Sequence, residues 1–232
     1  IAAANDGEGI EVFQHSEGVI GASTERILDD ETSYLQQVCD LATARIGETT
    51  YVYVASGVEH GLSIFSLGVD GQLSPVANVG QAQSLPINAI SQVDMIALGA
   101  ARFLLVASQG ANSLTVLRVL EDGNLKPADH ILDDLALRIE NNSALAYVEV
   151  KGRGLLAAAG NDGGISFFGL LPSGRLIHHS TVITGPDAGI GAISDLSLLS
   201  AGPIVYLVAR DKSQAGLGVF KIDVSSFGAA QG

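Results

Sequence analysis

Cysteine and methionine each occur once in these 232 residues, tryptophan is absent, and lysine and arginine together number 12. A lone Cys39 excludes an intrachain disulfide and any metal centre built from several thiolates. Against 25 acidic residues the shortage of cations leaves a formal charge of −13. Such a chain repels polyanions, so nucleic acid is not an expected partner, and cations or basic protein surfaces are better ones. No apolar run reaches the roughly 18–20 residues of a bilayer-spanning helix, so membrane insertion is not expected. No Gly-x-Ser-x-Gly elbow or phosphate loop leading into a helix stands in a usable context. His15, His60, His130, His178 and His179 lack the paired spacing of a zinc set.

Glycine, by contrast, is abundant at 28 residues, among many short Val/Ile/Leu runs, which reads as strands joined by tight turns. One such unit recurs. Its marker, apolar-x-apolar-apolar, starts at Ile10, Leu62, Leu114, Ile165 and Leu217, at intervals of 52, 52, 51 and 52 residues. Strand-rich repeats of this length predict an all-β fold, a β-propeller whose repeats are four-stranded antiparallel blades. The second copy divides into strand A (38–46), strand B (50–56), strand C (61–68) and strand D (73–79). The C–D hairpins VDGQL, EDGNL and PSGRL place Gly71, Gly123 and Gly174 where a positive φ is needed. Pro75 and Pro127 suit strand D as the outer edge of a blade. The whole chain, 1–232, reads as one propeller domain or propeller fragment. It counts B-C-D, three full blades and A-B-C, or 18 strands, so its ends do not complement one another. Since it starts at Ile1 in mid-strand, an arc of a larger propeller, excised from a longer polypeptide, is expected.

The stretch YVYVASGVEHGLSIFSLGVDGQLSPV, with its Asp-Gly-x-Leu-x-Pro after a Val/Phe strand, resembles the blade repeat of lactonase-like propellers of the phosphogluconolactonase type. It is also similar to propeller repeats of large secreted bacterial proteins carrying RTX, haemolysin-type calcium repeats. The resemblance implies blade architecture and an extracellular or cell-surface location. It carries neither catalytic positions nor a Gly-Gly-x-Gly-x-Asp calcium repeat onto residues of this chain.

Chemistry is expected at the mouth of the central channel. Asp40, Asp94 and Asp195 lie on the A strands, and three converging carboxylates could hold Ca²⁺ or Mg²⁺ through oxygen. Counting back from strand B, Asp94 and Asp195 each stand nine residues before Phe103 and Ile204, which makes them equivalent, with Asp40 eleven before Tyr51. The competing reading has each aspartate accept backbone N–H groups of a neighbouring blade. Asp6, Glu8, Glu59, His60, Asp162 and Arg210 in the B–C loops form a binding face, joined by Asp29, Asp30, Glu31, Asp133 and Asp134 in the D–A connections. Turn geometry explains the same acids. The leading expectation is a non-catalytic binding or structural module of a secreted or surface-attached bacterial protein. Its partner would be another protein or the remainder of the parent polypeptide. The alternative is a lactonase-like, metal-dependent hydrolase.

Overall fold

The computed structural model describes residues 2–4, 9–184, 191–202, 204–212 and 216–225. Among these the only helical element is a single 3-10 turn, Gln81–Gln83, and the rest of the regular structure is antiparallel sheet. The first sheet holds β1 (Ala2–Ala4), β2 (Gly9–Ser16) and β3 (Val19–Leu28). The second is β4 (Val38–Ile46), β5 (Thr49–Ser56), β6 (Gly61–Leu67) and β7 (Leu73–Gly80), within a residue of the strands expected at each end. The third comprises β8 (Ile90–Leu98), β9 (Ala101–Ser108), β10 (Ser113–Val119) and β11 (Leu125–Leu132). The fourth has β12 (Ala144–Val150), β13 (Arg153–Ala159), β14 (Gly164–Leu170) and β15 (Leu176–Ile183). The fifth has three described strands: β16 (Ile193–Ala201), β17 (Ile204–Asp211) and β18 (Leu217–Ile222).

Each sheet is a meander in chain order, so every strand pairs with its sequence neighbour, and the sheets stack as propeller blades. The A strands β4, β8, β12 and β16 lie beside one another in turn, and β1 lies beside β4. Four apolar cores fill the four spaces between successive blades. Strand B explains its own composition: in β9, Phe103, Leu104, Leu105, Val106 and Ala107 are all buried, alternately against the blade before and the blade after. A strand covered on both faces needs a continuous apolar run rather than an alternating one.

The C–D hairpins lock neighbouring blades. Gly123 and Gly174 have φ of 81° and 94°. Each also lies so close to the ring of the preceding blade's strand B, Tyr51 or Phe103, that a Cβ there would collide with it. Tyr53 Oη donates to Gly123 O at 3.0 Å, and Arg118 Nη2 to Pro172 O at 3.0 Å, so both hairpins are clamped from the blade before.

Candidate functional site

The inner strands begin with an irregularity that has a purpose. Register breaks lie between Val38 and Asp40, Ile90 and Gln92, and Ile193 and Asp195, leaving Cys39, Ser91 and Ser194 bulged. The fourth blade has Ser143 at the same repeat position, just ahead of β12. These side chains reach the next blade: Cys39 Sγ donates to Ile90 O at 3.2 Å, Ser91 Oγ to Asn142 O at 2.8 Å, and Ser143 Oγ to Ile193 O at 3.1 Å. Although Cys39 is open to solvent, desolvation and the Asp40 charge push its thiol up to about 11. Sγ therefore keeps its proton at neutral pH and can serve as the donor that serine supplies elsewhere.

Asp40 lies beside this relay. Its Oδ2 accepts the N–H of Val93 in the next blade at 2.9 Å, and its Oδ1 accepts that of Leu41 at 2.8 Å. Gln92 takes the same place one blade on, with Oε1 accepting from Leu145 N at 3.0 Å. Strand register makes the equivalence explicit: Asp40, Gln92, Ala144 and Asp195 pair with Ala55, Ala107, Ala159 and Arg210. Asp94 pairs with Leu105, two residues further in, and corresponds to Ala42, Ala146 and Ser197. The expected equivalence of Asp94 and Asp195 is thereby corrected. The count failed because Ile204 opens β17 at the position of Ala101, so the apolar run of strand B starts two residues earlier there than at Phe103.

Burial, and secondly the Asp40 charge, raise the pKa of the Asp94 carboxyl, so these two acids share one electrostatic environment. Asp195 is exposed and lies two blades from Asp94 and three from Asp40 along the chain. Among the described residues, no three His, Cys, Asp or Glu side chains come close enough together to hold a metal ion.

The acids of the loops hold backbone. Glu59 Oε2 accepts from Gln36 N at 2.8 Å, and His60 Nδ1 accepts from Ala89 N at 2.9 Å. Asn112, the repeat counterpart of His60, accepts from Asn141 N at 2.7 Å, and both residues adopt positive φ, 59° and 47°. Asp29 and Asp133 accept from Leu35 N and Ile139 N, which anchors those buried side chains. Asp30 and Asp134 cap the turns that follow them. Asp162 stands 3.8 Å from Arg138, and burial, the largest influence on it, raises its pKa. Arg210 is exposed near the C-terminal end of β17; Asp6 and Glu8 lie outside the described residues.

Sequence reasoning passed over the strand-C hydroxyls Ser63, Thr115 and Ser166, which are buried. Ser63 Oγ and Ser166 Oγ accept from Tyr34 N and Arg138 N at 2.8 and 2.9 Å and so pin the D–A connections. In the third blade the corresponding residue is Pro86, which has no N–H. There Thr115 Oγ1 meets the Pro86 carbonyl at 3.5 Å and His130 Nδ1 at 2.9 Å. The signal for these residues, like that for 39/91/143/194, was a polar residue recurring at the repeat interval.

The chain is a β-propeller module: its repeats are blades, linked around the inner strands by the Cys39–Ser91–Ser143 relay. No protein-family model and no curated protein sequence matches it. Solved structures do. It is similar to a protein from Lactobacillus plantarum, with a TM-score of 0.66 and 13% identity over 96% of this chain and 67% of the other. It is similar to an exo-beta-1,3-galactanase from Phanerochaete chrysosporium bound to beta-1,3-galactotriose, with a TM-score of 0.56 and 10% identity over 94% of this chain. The chain spans 55% of the galactanase's length. The SapL1 lectin in complex with alpha methyl fucoside gives a TM-score of 0.56 and 9% identity over 97% of this chain and 72% of the lectin. At such identities the likeness is one of fold.

Proposed function

We propose that this chain is a non-catalytic binding or structural module of a secreted or surface-attached bacterial protein, and that its partner packs against the fifth blade. One observation carries the reading. Strand β17 is as apolar as β9, yet only alternate residues of it, Val205, Leu207 and Ala209, are buried, while Tyr206 and Val208 stay partly open. On the same sheet Leu199 and Val219 are 52% and 62% exposed. A two-faced apolar strand with one face uncovered fits a module whose remaining cover is another protein or further blades of a parent polypeptide. The acids of the inner strands and loops support the same reading, since Asp40, Glu59, Asp29 and Asp133 already accept backbone N–H groups. The surplus negative charge gives the channel face an affinity for cations or basic segments rather than a fixed ion site.

The test pairs dye binding with catalysis. Leu199→Lys with Val219→Lys is expected to reduce binding of an apolar surface dye to the chain and to leave Tm unchanged, whereas unchanged dye binding would mean that this face is already covered. The lactonase-like alternative is expected to fail: no lactone turnover with millimolar Ca²⁺ or Mg²⁺, and no metal-dependent shift in Tm. Metal-dependent turnover that Asp94→Asn removes would overturn the proposal.

A further inference from the structure

Aspartate precedes glycine four times in the sequence, at Asp6, Asp70, Asp122 and Asp162, and Asp6 lies outside the described residues. An Asp-Gly bond has a side reaction of its own. The glycine nitrogen can attack the aspartate Cγ, because no Cβ on the following residue stands in its way. The attack needs a protonated carboxyl, from which water can leave, and a main-chain N–H not committed to a hydrogen bond. The three described pairs differ in both respects.

In the C–D hairpins of the second and third blades the reaction is opposed twice. Gly71 N donates to Gly68 O and Gly123 N to Leu120 O, both at 3.0 Å. The carboxylates are held as acceptors: Asp70 Oδ1 takes Gln72 N at 3.1 Å, and Asp122 Oδ1 takes Asn124 N at 3.0 Å. Hydrogen bonds from the Asn124 side chain and main chain keep the Asp122 carboxyl below the usual carboxylate range. Asp162, in the B–C loop of the fourth blade, has the opposite surroundings. Its side chain is only 11% exposed, and Oδ1 is buried without a hydrogen-bond partner. Burial raises its pKa, and Arg138, 3.8 Å away, offsets that only in part. Gly163 N, the attacking atom, donates to no group among the described residues.

We propose that Asp162–Gly163 is a modification site, at which the fold itself selects succinimide formation and isoaspartate as its product. Gly163 N bonds to Asp162 Cγ and gives up its proton; the bond from Cγ to its hydroxyl breaks, and one water leaves. A second water then opens the ring, at Cγ to restore aspartate or at the main-chain carbonyl to leave isoaspartate. No oxidant or cofactor enters, and the net charge is conserved. Isoaspartate adds one methylene to the main chain just ahead of β14. There Gly163 O accepts Thr184 N at 3.0 Å, and Gly164 lies so close to the Arg138 side chain that a Cβ would collide with it. The longer link disturbs both contacts, so a change at one peptide bond reshapes the acidic B–C loop without cutting the chain. This chemistry is independent of what packs against the fifth blade.

The test holds the folded chain for weeks at mildly acidic pH and body temperature. Isoaspartate is then counted with an isoaspartyl methyltransferase and located by mass spectrometry of the peptides carrying the three pairs. The expected result is about a tenfold excess at Asp162 over Asp70 and Asp122, since one pKa unit between two carboxyls is a tenfold difference in protonation. In strong denaturant the three sites should convert at similar rates, because the fold no longer distinguishes them. Asp162→Glu, whose carboxyl would have to close a six-membered ring, should lose the signal from its peptide. Equal conversion of the three sites in the folded chain, or none at Asp162, would overturn the proposal. So would an excess at Asp162 that survives denaturant, since the selection would then lie in the local sequence and not in the fold.

Discussion

Strand C has the same apolar pattern in the third and fifth blades, SLTVLRV in β10 and LGVFKI in β18, yet the two strands live in different surroundings. In β10 the first five residues are all buried; in β18 Leu217, Val219 and Phe220 are 68%, 62% and 38% exposed. Similar chemistry therefore does different work according to what lies on either side. Between blades it closes a core; in the fifth blade it leaves apolar surface and, among the described residues, an edge with no strand paired to it. Stability resides in the spaces between blades, and exposed apolar surface lies where such a space is incomplete.

The largest expected effect breaks that comparison at its centre. Phe168 is fully buried between the third and fourth blades, so Phe168→Ala should cost about 3–5 kcal/mol by the usual scale for buried aromatic truncation. Val219→Ala on β18 should stay within about 0.5 kcal/mol, as exposed substitutions do. Chemical denaturation of both variants checks the contrast, and equal losses would mean that the fifth blade is covered in solution.

Next comes the link at the axis. Asp40→Ala removes the acceptor of both Leu41 N and Val93 N, and a hydrogen bond to a charged group is worth about 1.5–3 kcal/mol. Asp195→Ala, at the same repeat position but exposed, should change stability by no more than about 0.5 kcal/mol. A larger loss at Asp195 than at Asp40 would reverse the assignment of the inter-blade link.

Asp94 should respond in the opposite direction. Its pKa is raised in the folded protein by burial first and by Asp40 second, so the ionised carboxylate disfavours the fold. The cost is full above the folded pKa and vanishes as pH falls through that value towards the ordinary 3.8. Asp94→Asn should therefore raise Tm at pH 7, with a gain that shrinks as the pH approaches 4. A drop in Tm at pH 7 would mean that the charge is compensated, for example by a bound cation.

Most of the blade plan could be read directly from the sequence, because strand B's continuous apolar run and the hairpin glycines each have one cheap structural solution. The axial register could not. The apolar onset of strand B drifts by two positions between β9 and β17, so counting back from it misaligned Asp94 with Asp195. The loop acids were visible as residues but not in their role. Whether Glu59 or Asp133 faces a ligand or a backbone N–H depends on a loop some 6 to 23 residues away folding back onto it.

The finest comparison is among repeats rather than regions, and it has the smallest expected effect. Cys39 occupies the place of Ser91 and Ser143, and all three donate across a blade boundary to a main-chain carbonyl. If donation is what the position requires, Cys39→Ser should be neutral to slightly stabilising, because a hydroxyl is the better donor. Cys39→Val keeps the bulk but cannot donate, and leaves Ile90 O without that partner, a loss of about 1 kcal/mol. The ordering Ser at or above Cys, both above Val, read by denaturant midpoint at unchanged slope, separates a donor role from simple packing; if packing governs, Val should match Cys and Ser should fall below both.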